Sequence, residues 1–349
     1  MYQNGLKTSC RNDMKPELLL IPISYIYAAV MSLRNLLYDN GIFRSQSFPK
    51  PVICVGNITV GGTGKTPLIE FLIHNLLKFK PSVVSRGYRR KTKGFVLANQ
   101  NSSTDEIGDE PHQLLEKFPS MPIAVDADRA NAINFLLQKT DTQVVLMDDG
   151  FQHRSVRAGL NIVVVDYARP MWSDHVFPAG RLREPIKALS RANIVVVNKC
   201  PENLSVTEKH EMAAKLRLNE NQQLYFSAIR YGEPRLITGN HIITKNKVVA
   251  VAGIGRPQPF FDETARRYGE IRKIAFADHH DFNDADIEKI KNVLAQLGNG
   301  SVVMTTEKDA QRFKNQDFTI YTLPIELSIL FNEHEKFKNT IIDYVTKNQ

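Results

Sequence analysis

Cysteine is scarce in this 349-residue chain, which contains only Cys10, Cys54 and Cys200. Their number is odd, they lie far apart, and no two of them form a Cys-x-x-Cys pair. This excludes a disulfide framework, a zinc ribbon and a dithiol redox motif. The scarcity of cysteine indicates a reducing, cytoplasmic compartment and a chemistry that does not depend on thiols.

The chain also lacks an apolar run long enough to span a membrane, which takes roughly 20 residues. Residues 18–33 are mostly apolar, but Pro22, Ser24 and Ser32 interrupt them. The apolar side chains recur at helical spacing. This spacing predicts one apolar stripe, which consists of Leu19, Ile23, Ile26, Val30, Leu33 and Leu37.

An interfacial helix fits this stripe best, because Tyr25 and Tyr27 are suited to the depth of lipid headgroups. Two alternatives stay open: a first helix packed on a soluble core, and a signal peptide, since basic residues precede the run. We expect residues 1–40 to comprise an N-terminal extension and an amphipathic, membrane-associated helix.

Basic residues outnumber acidic ones, with 45 Lys and Arg against 37 Asp and Glu and a formal net charge of +8. Such an excess favours an anionic partner, which could be a phosphate, a lipid headgroup or a nucleic acid. The basic clusters lack interleaved aromatic residues, and no nucleic-acid-binding motif is present. We therefore expect no nucleic-acid partner, and no feature of the sequence indicates an obligate protein partner.

A glycine-rich loop between an apolar strand and a helical pattern predicts a cradle for the phosphates of a nucleotide. Gly61, Gly62 and Gly64 allow the backbone to approach a polyanion. Lys65 is expected to reach the β- and γ-phosphates, and Thr66 to hold Mg²⁺. The predicted ATP-binding loop consists of Thr59, Val60, Gly61, Gly62, Thr63, Gly64, Lys65 and Thr66.

Two rival nucleotide-binding classes are disfavoured by single positions. The clustered glycines are similar to those of dimerising switch ATPases that act at membrane surfaces, but Val60 stands where those proteins have an additional lysine. Asn198 and Lys199 follow an apolar strand as in regulatory GTPases, but Pro201 replaces the aspartate that would read guanine. ATP is therefore favoured over GTP, and a catalyst over a switch.

Short apolar runs alternate with helix-length segments after the loop, which predicts parallel strands in a doubly wound sheet. These runs lie at residues 82–85, 144–147, 162–165 and 194–197. We predict an α/β protein with two α/β/α domains. The first is a P-loop NTPase-like domain over residues 41–221, a β-ribbon linker follows over 222–246, and a smaller α/β domain covers 247–349.

Two pairs of carboxylates are candidates for chemistry. The apolar run 144–147 leads directly into Asp148 and Asp149, and we expect one of these to support Mg²⁺ as a Walker-B aspartate does. Asp109 and Glu110 precede a predicted helix, and for this pair helix capping and catalysis stay equally open. Phosphoryl transfer to an alcohol does need a group that positions and deprotonates the hydroxyl.

Histidines and arginines supply further candidates. His279 and His280 are adjacent, and neighbouring side chains on a strand point to opposite faces, so we expect no shared metal ion. A histidine that orients a catalytic carboxylate is the better functional hypothesis, with a surface pair as the alternative. Arg86, Arg129 and Arg181 are candidates to face an anionic substrate or a membrane surface.

Taken together and in this order, the short motifs of the chain resemble those of the tetraacyldisaccharide 4'-kinase family of lipid A biosynthesis. Each motif is modest alone, but their order is highly specific and covers nearly the whole chain. The residues that carry the resemblance are Gly56-Asn57, 61–67, Ser85-Arg86-Gly87-Tyr88, 108–111, Asp128-Arg129, 148–152, 177–185, Asp278-His279 and 306–310.

The resemblance implies a kinase at the cytoplasmic face of the bacterial inner membrane. It implies transfer of the γ-phosphate of ATP, with Mg²⁺, to the 4'-hydroxyl of a tetraacylated glucosamine disaccharide 1-phosphate. Asp109 is then the base for the sugar hydroxyl, and His279 pairs with it across a closing cleft. Glu110 and Asp149 help to hold Mg²⁺, and the N-terminal helix meets the lipid substrate.

Overall fold

The computed structural model describes residues 19–278, 280–310, 312–313 and 316–349. Its strands are β1 (Val52–Gly56), β2 (Pro81–Ser85), β3 (Val96–Leu97), β4 (Ile123–Val125), β5 (Val144–Asp148), β6 (Leu160–Asp166), β7 (Ile194–Asn198), β8 (Gln223–Tyr231), β9 (Arg235–Thr238), β10 (Val248–Ala252), β11 (Ile271–Ala275), β12 (Val302–Thr305), β13 (Ile320–Thr322) and β14 (Ile325–Ile329).

The helices, in chain order, are α1 (Ile21–Asp39), α2 (Lys65–Leu76), α3 (Thr104–Ile107), α4 (Asp109–Lys117), α5 (Arg129–Lys139), α6 (Val206–Leu216), α7 (Gln258–Tyr268), α8 (Asp284–Leu297), α9 (Glu307–Ala310) and α10 (His334–Lys347). Short 3-10 helices cover Leu77–Phe79, Met171–Ser173 and Ile186–Arg191. Within the described residues the strands form two sheets, of nine and five strands.

The first sheet has the order β14-β8-β7-β6-β1-β5-β2-β4-β3, and strand β1 lies in its middle, parallel to β5 and β6. Successive residues of β1 point to opposite faces, so Ile53 packs into one apolar cluster and Cys54 into the other. Helices cover both faces, with α2 on the first cluster and α5 on the second. The predicted α/β fold with a largely parallel sheet is therefore confirmed.

The two strands of the segment predicted as a β-ribbon linker, residues 222–246, belong to different sheets. Strand β8 extends the first sheet, in which it runs parallel to β7, whereas β9 joins the second sheet, antiparallel to β13. The second sheet has the order β11-β10-β12-β13-β9. Apolar patterning indicates that both segments are strands, but it does not record which neighbour each one pairs with.

The predicted boundary of the C-terminal unit at residues 247–349 also needs a correction. Strand β14 follows β13 of the second sheet along the chain, but it pairs antiparallel with β8 in the first sheet. Helix α10 then packs on α2, where Phe337 and Ile341 enter the first apolar cluster. Residues 325–349 therefore complete the first sheet and its helical cover and do not belong to the second sheet.

Helix α1 turns its polar side toward the first sheet and its apolar stripe away from it. Ser24 is buried, whereas the exposed fractions of Ile23, Ile26 and Val30 are 52%, 66% and 59%. Among the described residues, no helix combines the length and the apolarity that are needed to cross a bilayer. Residues 1–18, at the start of the predicted N-terminal segment, lie outside the described residues.

Candidate active site

The glycine-rich loop leaves the carboxyl end of β1 and runs directly into α2. Gly61 and Gly64 have φ angles of 108° and 90°, which only glycine adopts without strain. A Cβ atom on Gly64 would lie 2.1 Å from Nδ2 of Asn198, so the close approach also requires glycine. Because α2 begins at Lys65, the unpaired N–H groups and positive dipole of its first turn lie at the loop. Such a loop is suited to bind phosphates.

Side chains from neighbouring strand ends hold this loop in shape. Asn57 Nδ2 donates to Thr63 Oγ1 over 3.1 Å, and Asn198 Nδ2 donates to the carbonyl oxygen of Thr63 over 3.0 Å. Lys199 Nζ donates to the carbonyl oxygen of Gly62. The Asn198-Lys199 pair thus supports the loop itself, which accounts for its place after β7 without a role in reading guanine.

An acidic pair faces the loop from the end of the adjacent strand β5. Oδ1 of Asp149 lies 3.4 Å from Lys65 Nζ, and its Oδ2 accepts from Arg183 Nη1 over 2.9 Å. Burial would raise the pKa of Asp149, but Lys65 and Arg183 outweigh it and lower the pKa. Asp149 therefore stays ionised and is fixed beside the lysine that is expected to contact phosphate.

Asp148 is the second member of this pair, and only 3% of it is exposed. Burial and the negative charge of Glu110 raise its pKa well above the usual range. Among the described residues, no hydrogen-bond donor reaches its Oδ1 atom, which is buried. An unpaired buried carboxylate oxygen is costly. A cation at this position would satisfy it.

These residues fit a magnesium ion that is held jointly by protein and nucleotide. Within the described part of the chain, no three His, Cys, Asp or Glu side chains converge as a complete protein-made metal site. Kinases do not need one, because Mg²⁺ keeps several waters and binds one or two carboxylates together with the substrate phosphates. Asp148, the neighbouring charge of Glu110 and the hydroxyl of Thr66 at the start of α2 supply that donor chemistry.

Asp109 and Glu110 begin helix α4, but neither of them is its N-cap. Gly108 holds the N-cap position with a φ angle of 91°, and a Cβ there would lie 2.9 Å from the carbonyl oxygen of Tyr88. The Asp109 side chain instead forms an ion pair of 2.5 Å, from its Oδ2 to Nη2 of Arg312. Capping therefore does not explain Asp109, whose catalytic role stays a prediction.

Arg312 belongs to the second sheet's unit, whose described residues reach the site at several places. Besides the Asp109 contact, Arg256 pairs with Asp166 at the end of β6. Lys117 joins α4 to Glu307 of α9 over 2.8 Å. The carboxyl ends of both sheets therefore face one cleft, which runs from β6 past the loop to α4.

The predicted histidine partner of Asp109, His279, lies outside the described residues. Its neighbour His280 is described, and its Nε2 atom lies 2.7 Å from Oδ2 of Asp286. The ring of His280 also stacks on Phe276, with centroids 4.6 Å apart. His280 is thus engaged within its own unit, and the hypothesis that His279 pairs with Asp109 stays a prediction.

The three predicted substrate-binding arginines lie at different places around the loop. Arg129 is 5% exposed. Burial first, and the positive charge of Arg86 second, lower its pKa, which places the two guanidinium groups near each other. The carboxylates of Asp149 and Asp148 also act on the charge of Arg129. Arg181 is on the opposite side of the loop, where it lines a recess with Gly61 and other loop residues and with Asp166 at the end of β6.

Helix α1 forms hydrogen bonds with residues of two motifs of the site, 148–152 and 177–185. Arg34 Nη2 donates to the carbonyl oxygen of Gln152 over 3.0 Å, and Gln152 Nε2 donates to that of Asn57 over 2.9 Å. Tyr27 OH donates to the carbonyl oxygen of Arg183 over 3.3 Å. The polar side of the helix is thus connected to the phosphate loop and to the partner of Asp149.

Sequence reasoning missed several residues of this site. Arg183 was visible only as one of many arginines, although it lies within the motif 177–185. Asp166 and Arg256 could not have been paired, since 90 positions separate them. Arg312 is 203 positions from Asp109, and the only signal in the sequence was its place two residues after the motif 306–310.

Comparison with known proteins gives concordant results. The family model of tetraacyldisaccharide-1-P 4'-kinase matches residues 16–346. The tetraacyldisaccharide 4'-kinases of Phocaeicola vulgatus and Flavobacterium johnsoniae are each 43% identical to this chain, over 97% and 95% of it and 97% of each relative. The solved structure of LpxK from Aquifex aeolicus in complex with ATP is similar, with a TM-score of 0.76 and 27% identity over 95% of this chain and 100% of that one.

Proposed function

Because this chain belongs to the tetraacyldisaccharide-1-P 4'-kinase family, we propose how its residues perform the reaction of that family. The protein is an enzyme, an ATP-dependent kinase that phosphorylates the 4'-hydroxyl of tetraacyldisaccharide 1-phosphate in lipid A biosynthesis. The observation that best supports the mechanism below is a phosphate loop whose Lys65 lies 3.4 Å from an acidic pair at the next strand end.

The loop 59–66 binds ATP through backbone N–H groups and Lys65, which contacts the β- and γ-phosphates. Asp109 takes the proton of the 4'-hydroxyl as general base, and His279 pairs with Asp109. The hydroxyl oxygen then forms a bond to the γ-phosphorus while the bond from that phosphorus to the bridging oxygen breaks, and ADP leaves. Asp109 is suited to this role because it borders the cleft at the first turn of α4.

A bound Mg²⁺ would supply positive charge to neutralise the charge that develops on the phosphates. Asp148 and Asp149 are proposed to hold the ion together with Thr66 and Glu110. The unpaired oxygen of Asp148 supports this proposal, and so does the lowered pKa of Asp149, which keeps its carboxylate ionised.

Arg86, Arg129 and Arg181 are proposed to bind the anionic substrate. Arg129 interacts electrostatically with the acidic pair and with Arg86, in a region where a phosphate needs a compensating positive charge. Arg181 is exposed and lies at the other side of the loop. It is therefore placed to meet a part of the substrate that extends away from the reacting phosphorus.

The enzyme is proposed to work at the cytoplasmic face of the bacterial inner membrane, with α1 in contact with the lipid surface. The exposed stripe of α1 supports this location, because a helix that turns apolar side chains to water gains free energy when they enter lipid. The lipid substrate would then meet the site from the side of the membrane.

The proposal can be tested with γ-labelled ATP and the disaccharide 1-phosphate. We expect label on the lipid, and we expect Lys65→Ala to abolish its transfer through lost positioning of the phosphates. Asp109→Asn should keep ATP binding but slow turnover by roughly 10²- to 10⁴-fold. Transfer that continues at the original rate in Asp109→Asn would exclude Asp109 as the base.

Asp105→Asn is a matched control for Asp109→Asn. Asp105 lies four residues upstream and pairs with Lys91 over 2.7 Å, but 61% of its side chain is exposed. Its loss should leave turnover unchanged, because exposed ion pairs contribute little. Competition between ATP and GTP tests the remaining alternative, a regulatory GTPase, for which GTP would have to displace ATP.

A further inference from the structure

The contact between Arg312 and Asp109 joins the two units at the proposed base. Arg312 Nη2 donates to Oδ2 of Asp109 over 2.5 Å, and its Nη1 donates to the carbonyl oxygen of His280 over 2.6 Å. The exposed fractions of the two side chains are 13% and 16%. One planar guanidinium group thus connects a loop of the second unit to the first turn of α4.

Other ion pairs between the two units involve carboxylates that are not proposed to react. Lys117 bonds to Glu70 of α2 over 2.7 Å and to Glu307 over 2.8 Å, which ties the helices of both units together. Arg256 ends on Asp166, which also pairs with Lys199 over 3.2 Å. These contacts hold the units against each other. The contact of Arg312 holds a side chain that is proposed to react.

We propose that Arg312 is a positioning residue for Asp109. With Oδ2 anchored to a rigid guanidinium fork, the rotation of the carboxylate is fixed, and so is the direction from which it meets the sugar hydroxyl. Because the same group is bonded to the carbonyl oxygen of His280, the second unit supplies this anchor for Asp109. The inference rests on the proposed role of Asp109 as the base.

Arg312→Ala tests the proposal by its effect on turnover. A displacement of about 1 Å at a reacting group can cost roughly 10²-fold in rate. We therefore expect kcat to fall roughly 10- to 100-fold, with KM for ATP within about twofold of the original value. Added guanidinium ion should restore part of kcat in Arg312→Ala but none in Asp109→Asn, where the carboxylate itself is absent.

Arg312→Lys tests whether the positive charge is sufficient or whether the planar guanidinium group is needed. Lysine keeps the charge but presents one ammonium group, which cannot hold Asp109 and His280 in the same plane. We expect a kcat between those of the original enzyme and Arg312→Ala. A thermal unfolding curve of each variant ensures that a folded enzyme is compared, and Arg312→Gln replaces the alanine variant if that one does not fold.

Arg267→Ala is the matched control, because Arg267 makes contacts of the same kind away from the site. It donates to the carbonyl oxygens of Tyr231 and Gly232 over 2.6 and 2.7 Å and to Glu263 over 2.6 Å. Its side chain is 17% exposed, close to the value for Arg312. Its loss should lower stability, leave kcat within about twofold, and give no response to guanidinium ion.

The outcomes distinguish this inference from the proposed function. Normal turnover in Asp109→Asn refutes the role of Asp109 and, with it, the role of Arg312. Lost turnover in Asp109→Asn with a normal or raised kcat in Arg312→Ala refutes only the role of Arg312. A loss in Arg312→Ala that guanidinium ion does not restore, and that Arg267→Ala reproduces, shows a structural contact and also overturns the inference.

Discussion

The first and last helices of the described chain are both amphipathic, but they orient their apolar sides in opposite ways. Helix α10 buries Phe337, Ile341 and Val345, none of which is more than 1% exposed. Helix α1 leaves Ile26 and Val30 more than half exposed. Both helices pack on the unit that contains the first sheet, so their orientation does not follow from the unit to which they belong.

The surface below each helix accounts for the difference. Helix α10 lies on α2 and β14, whose side chains are apolar and form one cluster with it. Helix α1 lies on loops that offer backbone groups and charges, and Ser24 and Asn35 bond to the amide N–H of Ala179 and to Glu184. A polar surface binds the polar side of a helix, so the apolar side of α1 is left for another partner, which we propose to be lipid.

The largest expected effect concerns α10. Phe337→Ala removes a ring that is fully buried between Phe71 and Tyr225, and it should lower the free energy of unfolding by about 3–5 kcal/mol. Urea denaturation measures this change. Leu33→Ala on α1, where the side chain is 57% exposed, should change stability by less than about 0.5 kcal/mol. Equal losses would show that α1 also packs by its apolar side.

The second prediction concerns the exposed stripe of α1. The double variant Ile26→Asp with Val30→Asp should lose most of its binding to vesicles of anionic lipid, because burial of one such side chain contributes roughly 1.5–3 kcal/mol. Its urea denaturation should match that of the original protein. Co-sedimentation with vesicles measures the binding. Val206→Asp, on an equally exposed residue of α6, should leave it intact. Retained binding in the double variant would refute the lipid contact.

The third prediction concerns the polar side of α1. Arg34→Ala removes the hydrogen bond to the carbonyl oxygen of Gln152, whose side chain contacts the phosphate loop at Asn57. We expect stability to fall by about 1.5 kcal/mol and ATP to bind several-fold more weakly. Calorimetric titration with ATP measures the second effect. Lys336→Ala, which removes an exposed cation of α10, should change neither quantity. Unchanged ATP binding in Arg34→Ala would show that α1 does not influence the phosphate loop.

Sequence alone predicted those features of the fold that depend on neighbouring residues. The buried strands at 144–147 and 162–165 are continuous apolar runs, and this composition alone predicts strands of a parallel sheet that is buried on both faces. Most of the predicted apolar stripe, namely Leu19, Ile23, Ile26, Val30 and Leu33, is exposed, but Leu37 is half-buried and Leu36 is exposed instead. The sequence favoured an interfacial helix but left packing on a soluble core open. It did not predict the pairing of β14 with β8, because such features depend on a surface formed by distant parts of the chain.

The candidate site divides in the same way. Lys65 and Asp149 were predicted because each follows a strand in a motif of few residues, and parallel strands bring such ends to one edge. The unpaired oxygen of Asp148 and the bond from Arg312 to Asp109 depend on burial and on the approach of the second sheet. No pattern of spacing records either of these.

The smallest expected effect is a dependence on pH that separates the surfaces below the two helices. His153 lies beside α1, since it lines one recess with Tyr38, and burial first and Arg129 second lower its pKa to about 4. Its pKa in the unfolded chain is about 6.5. Between these values the unfolded state binds more protons, so stability is lost as the pH falls from about 6.5 to 4 and does not depend on this group above 6.5.

No such loss is expected from the half-buried Tyr344 of α10, because desolvation raises its pKa to about 12, far above this window. Hydrogen exchange at pH 5 and 7.5 tests the contrast. The amides of α1 should lose more protection at pH 5 than those of α10, since the charged imidazole is disfavoured beside Arg34. His153→Gln, which cannot be protonated, should remove the difference. A difference that persists in this variant would assign the acid sensitivity to another group below α1.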